Sequence, residues 1–227
     1  MKFIYHHLGL GDHIICNGLV RTLITNNNEY TMFVKKNNLP SVKFMYKDLP
    51  NLKFIDGDDS FVLNYLNLNK INENDLIKIG FYKHPNSKEF DDSFYLQHNI
   101  PFFYRWEKFY VERDLQSELN LFKKFGIEEN NYIFIHDDST RALNIDEKYI
   151  KNKDLSIIRP KLGLTDNIFD YMYLIENSLE CHFMDSSFRL MFDSLGSQKK
   201  DLFYHINYNG VYRDSTKSQS KLKYTII

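Results

Sequence analysis

Short runs of β-branched and aromatic residues alternate along this chain with longer segments whose apolar residues repeat at helical spacing, and that alternation admits few folds. The strand-like runs are Lys2–His6, Glu29–Lys36, Asn51–Asp56, Asp75–Tyr82, Asn131–His136, Asp154–Arg159, Glu180–Asp185 and Lys200–Ile206. Helices are predicted from Asp12 to about Thr25, over "LPSVKFMYKDL" with Pro40 early in it, from Asn167 to Ser178 and from Ser187 to Gly196. A further helix, "LQSELNLFKKFGI", places Leu115, Leu119, Leu121, Phe122 and Phe125 on one face, with Gly126 as its stop. Strands separated by helices imply parallel sheets covered on both faces. The expected class is therefore α/β: two Rossmann-like halves with parallel sheets facing a cleft, residues 1–114 and 115–227. No Gly/Ser-rich linker marks the division, and the polar tail from Asn209 onward is expected to be partly irregular.

Length and charge narrow the function. A chain of 227 residues can bury a substantial core. Lys and Arg (29) nearly balance Asp and Glu (30) and are spread along the chain, so no field draws in nucleic acid or an anionic membrane. No apolar run is long enough to span a bilayer, and "MKFIYHHLGLGDH" lacks a signal-peptide core. The expectation is a soluble, cytoplasmic protein without a transmembrane segment; a homo-oligomer is compatible with this. Cys16 and Cys181 are far apart in apolar surroundings and belong to no C-x-x-C pair, which reads as two reduced, buried thiols and not as a zinc site. Ala142 is the only alanine, and Asn fills positions that other chains give to better helix formers, so propensity says little here.

"HHLGLGDHIICNGLVR" (residues 6–21) follows the first strand with a Gly-x-Gly turn and opens a helix, the layout in which backbone approaches a ligand at a helix N-terminus. Gly9 and Gly11 are expected to allow a tight turn with positive φ. Dinucleotide binding is disfavoured: Ile14 stands at the third glycine position, and the second strand ends in Lys35-Lys36 instead of an acidic residue. A P-loop would need Gly-Lys-Ser/Thr, which is absent, and a methyltransferase loop fits poorly with His6 and His7 at the strand end. Asp12 has two readings. It is an ordinary N-cap, or it is a carboxylate positioned to take a proton from a bound hydroxyl.

"GLGDHIICNGLVRTL" resembles the N-terminal motif of the heptosyltransferase-type glycosyltransferases, glycosyltransferase family 9 and its relatives in the GT-B fold. There a Gly-x-Gly-Asp loop opens the first helix and an arginine follows; here these are Gly9, Gly11, Asp12 and Arg21. The family's mid-helix proline is missing, with Gly18 nearby. The resemblance implies that Asp12 is the catalytic base and that residues 1–114 take the acceptor. In the second half, "HFMDSSFRLMFDSLG" resembles the family's donor-binding Asp-Ser/Thr-Gly segment through Asp185, Ser186 and Ser187, although Ser187 replaces the glycine and no histidine follows at the family's spacing. Hydroxyls and free N–H groups at such a helix start suit a diphosphate; the simpler reading is a serine N-cap. Ser139 and Arg141 in "YIFIHDDSTR", together with Arg159, are candidate phosphate contacts, while Asp137 and Asp138 read as a polar turn with Asx hydrogen bonds. Glu176 is either a ribose contact or an exposed helix residue. The implied reaction moves a sugar from a nucleotide-sugar donor to a hydroxyl of a glycan or glycolipid, inverting and without metal or other cofactor.

Three signals compete. Asp56-Gly57-Asp58 after a strand matches the metal motif of GT-A transferases; a polar turn is the simpler reading. His6, His7 and His13 cluster in sequence, but His6 and His7 point to opposite faces of a strand, which leaves His7 as the candidate to hydrogen-bond acceptor or phosphate. "FFYRWEKFYVERD", with the only tryptophan, Trp106, is either a sugar-stacking platform or a core plug. A non-catalytic nucleotide- or sugar-binding protein is the alternative from outside the enzymes.

Overall fold

The structure is a computed structural model that describes residues 1–138, 142–208, 211–212 and 220–227. It divides into two compact units, Met1–Glu112 and Arg113–Ile227. Among the described residues, no helix is long and apolar enough to cross a membrane.

The first unit is a four-stranded, wholly parallel sheet in the order β3-β2-β1-β4: β1 (Lys2–His6), β2 (Tyr30–Val34), β3 (Leu52–Asp56) and β4 (Leu76–Ile79). The central strands lose the polar–apolar alternation because both faces are covered: every residue of β2 is buried, and so are four of the five in β1. Phe3, Tyr5, Leu8, Phe33 and Val62 form one core cluster. Val62 comes from α4 (Asp59–Leu68), a helix the alternation did not assign, because the Asp-rich start and Asn-rich body masked its period.

The predicted first helix is two helices, α1 (Leu10–Ile15) and α2 (Asn17–Leu23), broken at Cys16. Its start lies two residues earlier than predicted. Helices α3 (Leu39–Met45), α5 (Phe90–Leu96) and α6 (Tyr104–Glu107) complete the unit. A Cβ on Gly18 would stand 2.1 Å from the Tyr104 carbonyl oxygen, so this glycine is what lets α2 and α6 meet backbone to side. Trp106 is a plug: its ring packs on Phe102 at 5.4 Å, and the guanidinium of Arg105, ion-paired with buried Asp91, lies over it.

The second unit begins with α7 (Leu115–Lys124), stopped as predicted before Gly126 in left-handed conformation (φ +63°). Its buried positions are Glu118 and Leu121, while Leu115 faces solvent; Glu118 is inside because Arg113 pairs with it. A five-stranded parallel sheet follows in the order β11-β8-β7-β5-β6: β5 (Tyr132–His136), β6 (Ser156–Ile158), β7 (Glu180–Phe183), β8 (Leu202–Tyr204) and β11 (Thr225–Ile226). The helices are α8 (Met172–Glu176), entered through a 3₁₀ turn at Ile168–Tyr171, and α9 (Ser187–Leu195). A small antiparallel ladder, β9 (Asn207–Tyr208) with β10 (Val211–Tyr212), falls in the tail. Ile133, Ile135, Ile145, Ile150 and Met184 make a core cluster of this unit.

Candidate functional site

Open parallel sheets bind ligands beyond the carboxyl ends of the strands, where the strand order reverses. In the first unit that point lies between β1 and β4, and the loop it selects is His7–Gly9 with the start of α1. His7 bridges the two strands' loops: its Nε2 is 2.9 Å from the Gly80 carbonyl oxygen. Gly80 has φ +87°, and a Cβ there would stand 2.8 Å from the His7 ring, so only glycine fits. Asn38, beyond β2, donates to the Leu8 carbonyl at 2.9 Å and brings a third loop to the same place.

Asp12 is not the cap of α1. Gly9 is the N-cap, with an ordinary φ of −69° and no side-chain bond, and Gly11 lies inside the helix, so neither glycine adopts the positive φ the sequence suggested. The reason for Gly9 is room: a Cβ there would stand 2.5 Å from Oδ2 of Asp12. Asp12 occupies the first turn and is half-buried. Burial pushes its carboxyl up to about 6; His7, the backbone N–H of Asp12 itself, Lys35 and the Gly9 N–H hold it from rising further. A carboxylate tuned to that range is ionised at neutral pH and close enough to it to take a proton.

His6 and His13 lie beneath this loop with rings 4.2 Å apart, both fully buried. Burial lowers His6 to about 4 and holds His13 well below its usual value. Arg21 is committed elsewhere. Its guanidinium forks onto Asp48 with two bonds of 2.8 Å, donates to the Met45 carbonyl and to Asn17, and lies over the rings of Tyr46 and Tyr110. It ties α2 to the end of α3 and is placed as a structural residue of this unit. Asp58 caps α4 by accepting from the Phe61 N–H at 2.8 Å, and Asp56 is exposed at the end of β3; among the described residues no group of three or more His, Cys, Asp or Glu side chains is arranged to hold a metal ion.

In the second unit the strand order reverses between β5 and β7. A cavity of about 420 Å³ opens at the carboxyl ends of β5 and β6, lined among others by His136, Asp137, Arg159, Lys161, Tyr171 and Phe188. The His136 ring stacks on Phe188 at 4.2 Å; burial lowers it to about 4, so it is neutral, and its Nδ1 has no partner among the described residues. Phe188 belongs to α9, whose N-cap is Ser186, the hydroxyl accepting from the Arg189 N–H at 3.4 Å. Ser187 is the first helical residue, and Asp185 lies 3.6 Å from the Arg189 guanidinium. Arg159 lines the cavity but is partly neutralised: its Nε donates to Asp137 at 2.7 Å and its Nη2 to Glu147 at 3.3 Å. Asp137 also accepts from the Ile145 N–H, eight residues further on, which ties two parts of the loop together and is not the Asx turn that the sequence suggested. Ser139 and Arg141 lie outside the described residues.

Glu176 is not at this cavity. It closes α8 beside the start of β5, where the Asn130 N–H donates to the Asn177 carbonyl, at the end of the strand opposite His136. There it pairs with Arg113 at 2.7 Å.

One buried cluster escaped the sequence reading altogether. Glu180 accepts from His182 Nε2 at 2.6 Å, and His182 Nδ1 lies 2.8 Å from His205 Nε2, all three residues buried. Burial pushes Glu180 up, but the Lys151 N–H, His182 and Asn152 outweigh it and hold the carboxylate below its usual value. Burial lowers His182, and it lowers His205 to about 4. An ionised Glu180 makes His182 the Nε2–H tautomer, whose Nδ1 in turn accepts a hydrogen bond from His205 Nε2–H and leaves the His205 Nδ1 lone pair at the far end. Glu180 and His182 share one strand face at i and i+2, a local signal; His205 lies a strand away and gave none.

No family model matches this sequence, and no curated protein matches it. A solved structure is similar: that described as the glycosyl transferase family 9 from Veillonella parvula DSM 2008, with a TM-score of 0.52 and 10% identity over 100% of this chain and 86% of the other. At that identity the likeness speaks for the fold, which is a GT-B-like pairing of two Rossmann-like α/β units.

Proposed function

We propose that this protein is a glycosyltransferase that moves a sugar from a nucleotide-sugar donor to a hydroxyl of a glycan or glycolipid acceptor, with inversion. The observation that carries the reading is Asp12: a carboxylate in the first turn of a helix, at the strand-order reversal of a parallel sheet, with its proton affinity raised to about 6. The solved neighbour named for glycosyl transfer agrees with it.

In the proposed reaction the first unit binds the acceptor and Asp12 takes the proton of its attacking hydroxyl. The second unit binds the donor. The cavity beside His136 and Phe188 takes the flat nucleoside part against this stacked pair of a neutral imidazole and a phenyl ring. The diphosphate lies toward the N-terminus of α9, with Ser186, Ser187, Arg159 and Lys161 contributing donors. As the sugar–phosphate bond breaks, the helix start and the cations stabilise the departing diphosphate, and no metal is invoked. Attack by a base-activated hydroxyl in one displacement inverts the anomeric carbon.

A non-catalytic nucleotide-binding protein is the second reading, favoured by one observation: the Asp137 carboxylate and Glu147 already engage Arg159 at the cavity. The test is a thermal-shift screen of nucleoside diphosphates and nucleotide sugars, with and without EDTA, since a ligand bound only by the folded state raises the midpoint. A shift that survives EDTA, with donor turnover lost in Asp12→Asn, supports the transferase. Binding without turnover across an acceptor panel supports the second reading. A shift abolished by EDTA moves attention to Asp56 and Asp58, and no shift by any nucleotide sinks the reading.

A further inference from the structure

We propose that Leu162 is a specificity-determining residue of the second unit's cavity: a fixed apolar surface against which a nucleobase lies, so that the cavity selects its ligand by the base and not by the phosphates. The proposal rests on the reading that the second unit binds a donor nucleotide, and it names the part of that nucleotide that is read and a residue that reads it.

Leu162 is fully exposed, more so than any other large apolar side chain among the described residues, and it belongs to the wall of the cavity. The chain on either side keeps it there. Before it, the Tyr171 hydroxyl accepts from the Lys161 N–H and donates to the Lys161 carbonyl, both at 3.2 Å. After it, Lys124 Nζ donates to the Leu164 carbonyl at 3.2 Å, and the Thr165 hydroxyl donates to Asp170 and accepts from the Asn167 N–H at 3.0 Å. Leu162 and Gly163 alone lie between these ties. Gly163 has φ +78°, and a Cβ there would meet nothing within 4 Å, so the turn's conformation and not crowding calls for glycine. Leu162 is thus presented by a turn that is already in place, and apolar surface kept in water on a tied turn gains only when a ligand covers it.

The rest of the wall chooses the ligand. His136 and Phe188 stack at 4.2 Å and give the same cavity a flat, largely apolar face. His136 Nδ1 is buried with no partner among the described residues, so the wall also asks for a polar edge. The cation at the cavity is shared already: Arg159 donates to Asp137 at 2.7 Å and to Glu147 at 3.3 Å. A bare phosphate would leave Leu162 and Phe188 in water and compete with two carboxylates for Arg159. A saturated chain would cover the apolar wall and leave the His136 nitrogen unmet. A nucleobase brings a flat apolar face together with ring nitrogens and exocyclic groups at its edge.

The test is calorimetric titration of the full-length protein with ADP, GDP, UDP, CDP and inorganic pyrophosphate, using wild type, Leu162→Ala, Leu162→Asp and, as a control on an exposed leucine outside the cavity wall, Leu115→Ala. Because Leu162 is fully exposed, its variants keep the core intact. Leu162→Ala is expected to weaken the best-bound nucleoside diphosphate by about 10-fold and Leu162→Asp by more, with Leu115→Ala unchanged. Pyrophosphate, which has no base, should bind weakly or not at all, and equally to all four proteins. A nucleotide affinity within twofold of wild type in both Leu162 variants overturns the proposal and leaves the donor reading standing; a parallel loss of pyrophosphate binding overturns it too. Binding of none of the nucleotides by wild type overturns the donor reading and the proposal with it. Leu162-dependent nucleotide binding without sugar transfer supports the proposal and overturns the transferase instead.

Discussion

The two units build their strand-to-helix turns on one plan and give them opposite electrical characters. After β1 the chain enters α1 with no side-chain cap and places a carboxylate in the first turn. After β7 it enters α9 through the hydroxyl of Ser186 and places no acidic residue there. The helix start is electropositive in both cases. Filling it with a carboxylate makes an acceptor for hydroxyl protons; leaving it to a hydroxyl keeps it open to an anion. The imidazoles behind each turn differ in the same way. His6 and His13 lie ring against ring, with His6 Nε2 and both His13 nitrogens unpartnered among the described residues, while His182 and His205 are joined to Glu180 in a continuous hydrogen-bonded chain.

The sharpest way to break the contrast is Asp12→Asn, which keeps the shape and removes the base. Turnover measured with a donor found by thermal shift is expected to fall by about 10²–10⁴-fold with donor affinity unchanged. Loss of donor affinity in this variant would mean that the first turn serves the wrong ligand in this account. Next comes the wired cluster. Glu180→Ala leaves His182, Asn152 and the Lys151 N–H without their acceptor, and should cost about 3–5 kcal/mol in urea unfolding; a cost under about 1 kcal/mol would show the chain to be dispensable.

Acid should then separate the two kinds of group. His6, His136 and His205 are held near 4 in the fold against about 6.5 in the unfolded chain. Below that value the unfolded chain binds protons that the fold refuses. Their contribution is present above about pH 6.5 and lost as pH falls toward 4, by at most ~1.4 kcal/mol per group per pH unit. Asp12 has the opposite sign: what it contributes is present below about 3.8 and lost as pH rises through about 6. Asp12→Asn is therefore expected to be more stable than wild type by about 2–3 kcal/mol at pH 7.5, by about 1 kcal/mol at pH 4.5, and level with it only below about pH 3.8. Equal midpoints at pH 7.5 would remove the case for a strained carboxylate. The smallest effect belongs to the other turn, where Ser186→Ala should cost about 1 kcal/mol, the loss of one N-cap, read as a shift in thermal midpoint.

What could be read from the residues was local. The apolar run Lys2–His6 is β1 to the residue, Gly126 stops α7, and Ser187 opens α9. The alternation of strands and helices was enough for two parallel sheets. Asp12 was singled out because of its place in a motif, but its position inside the first turn depends on Gly9 starting the helix early, which the single-residue N-cap pattern hid. The family resemblance placed Arg21 with the loop, and Asp48 claims it from a segment that sequence could not bring near. Glu176 closes α8 at the far end of the sheet from the cavity, and Arg113, far away in sequence, claims its carboxylate there.

The place of β1 in its sheet has a consequence for how the molecule comes into being. Ile4 pairs with Met32 on one side and with Ile77 on the other. The second pairing closes a far longer loop than the first, and such pairings come late because their entropy must be met before they reward the chain. Until β4 docks, β1 is an open edge, Gly80 is not beside His7, and Phe81 does not reach Tyr5. During synthesis the Asp12 carboxylate is thus among the first residues made, and its surroundings among the last things formed in that unit. A folding intermediate with β1–β3 in place would hold Asp12 in a helix and recognise nothing with it.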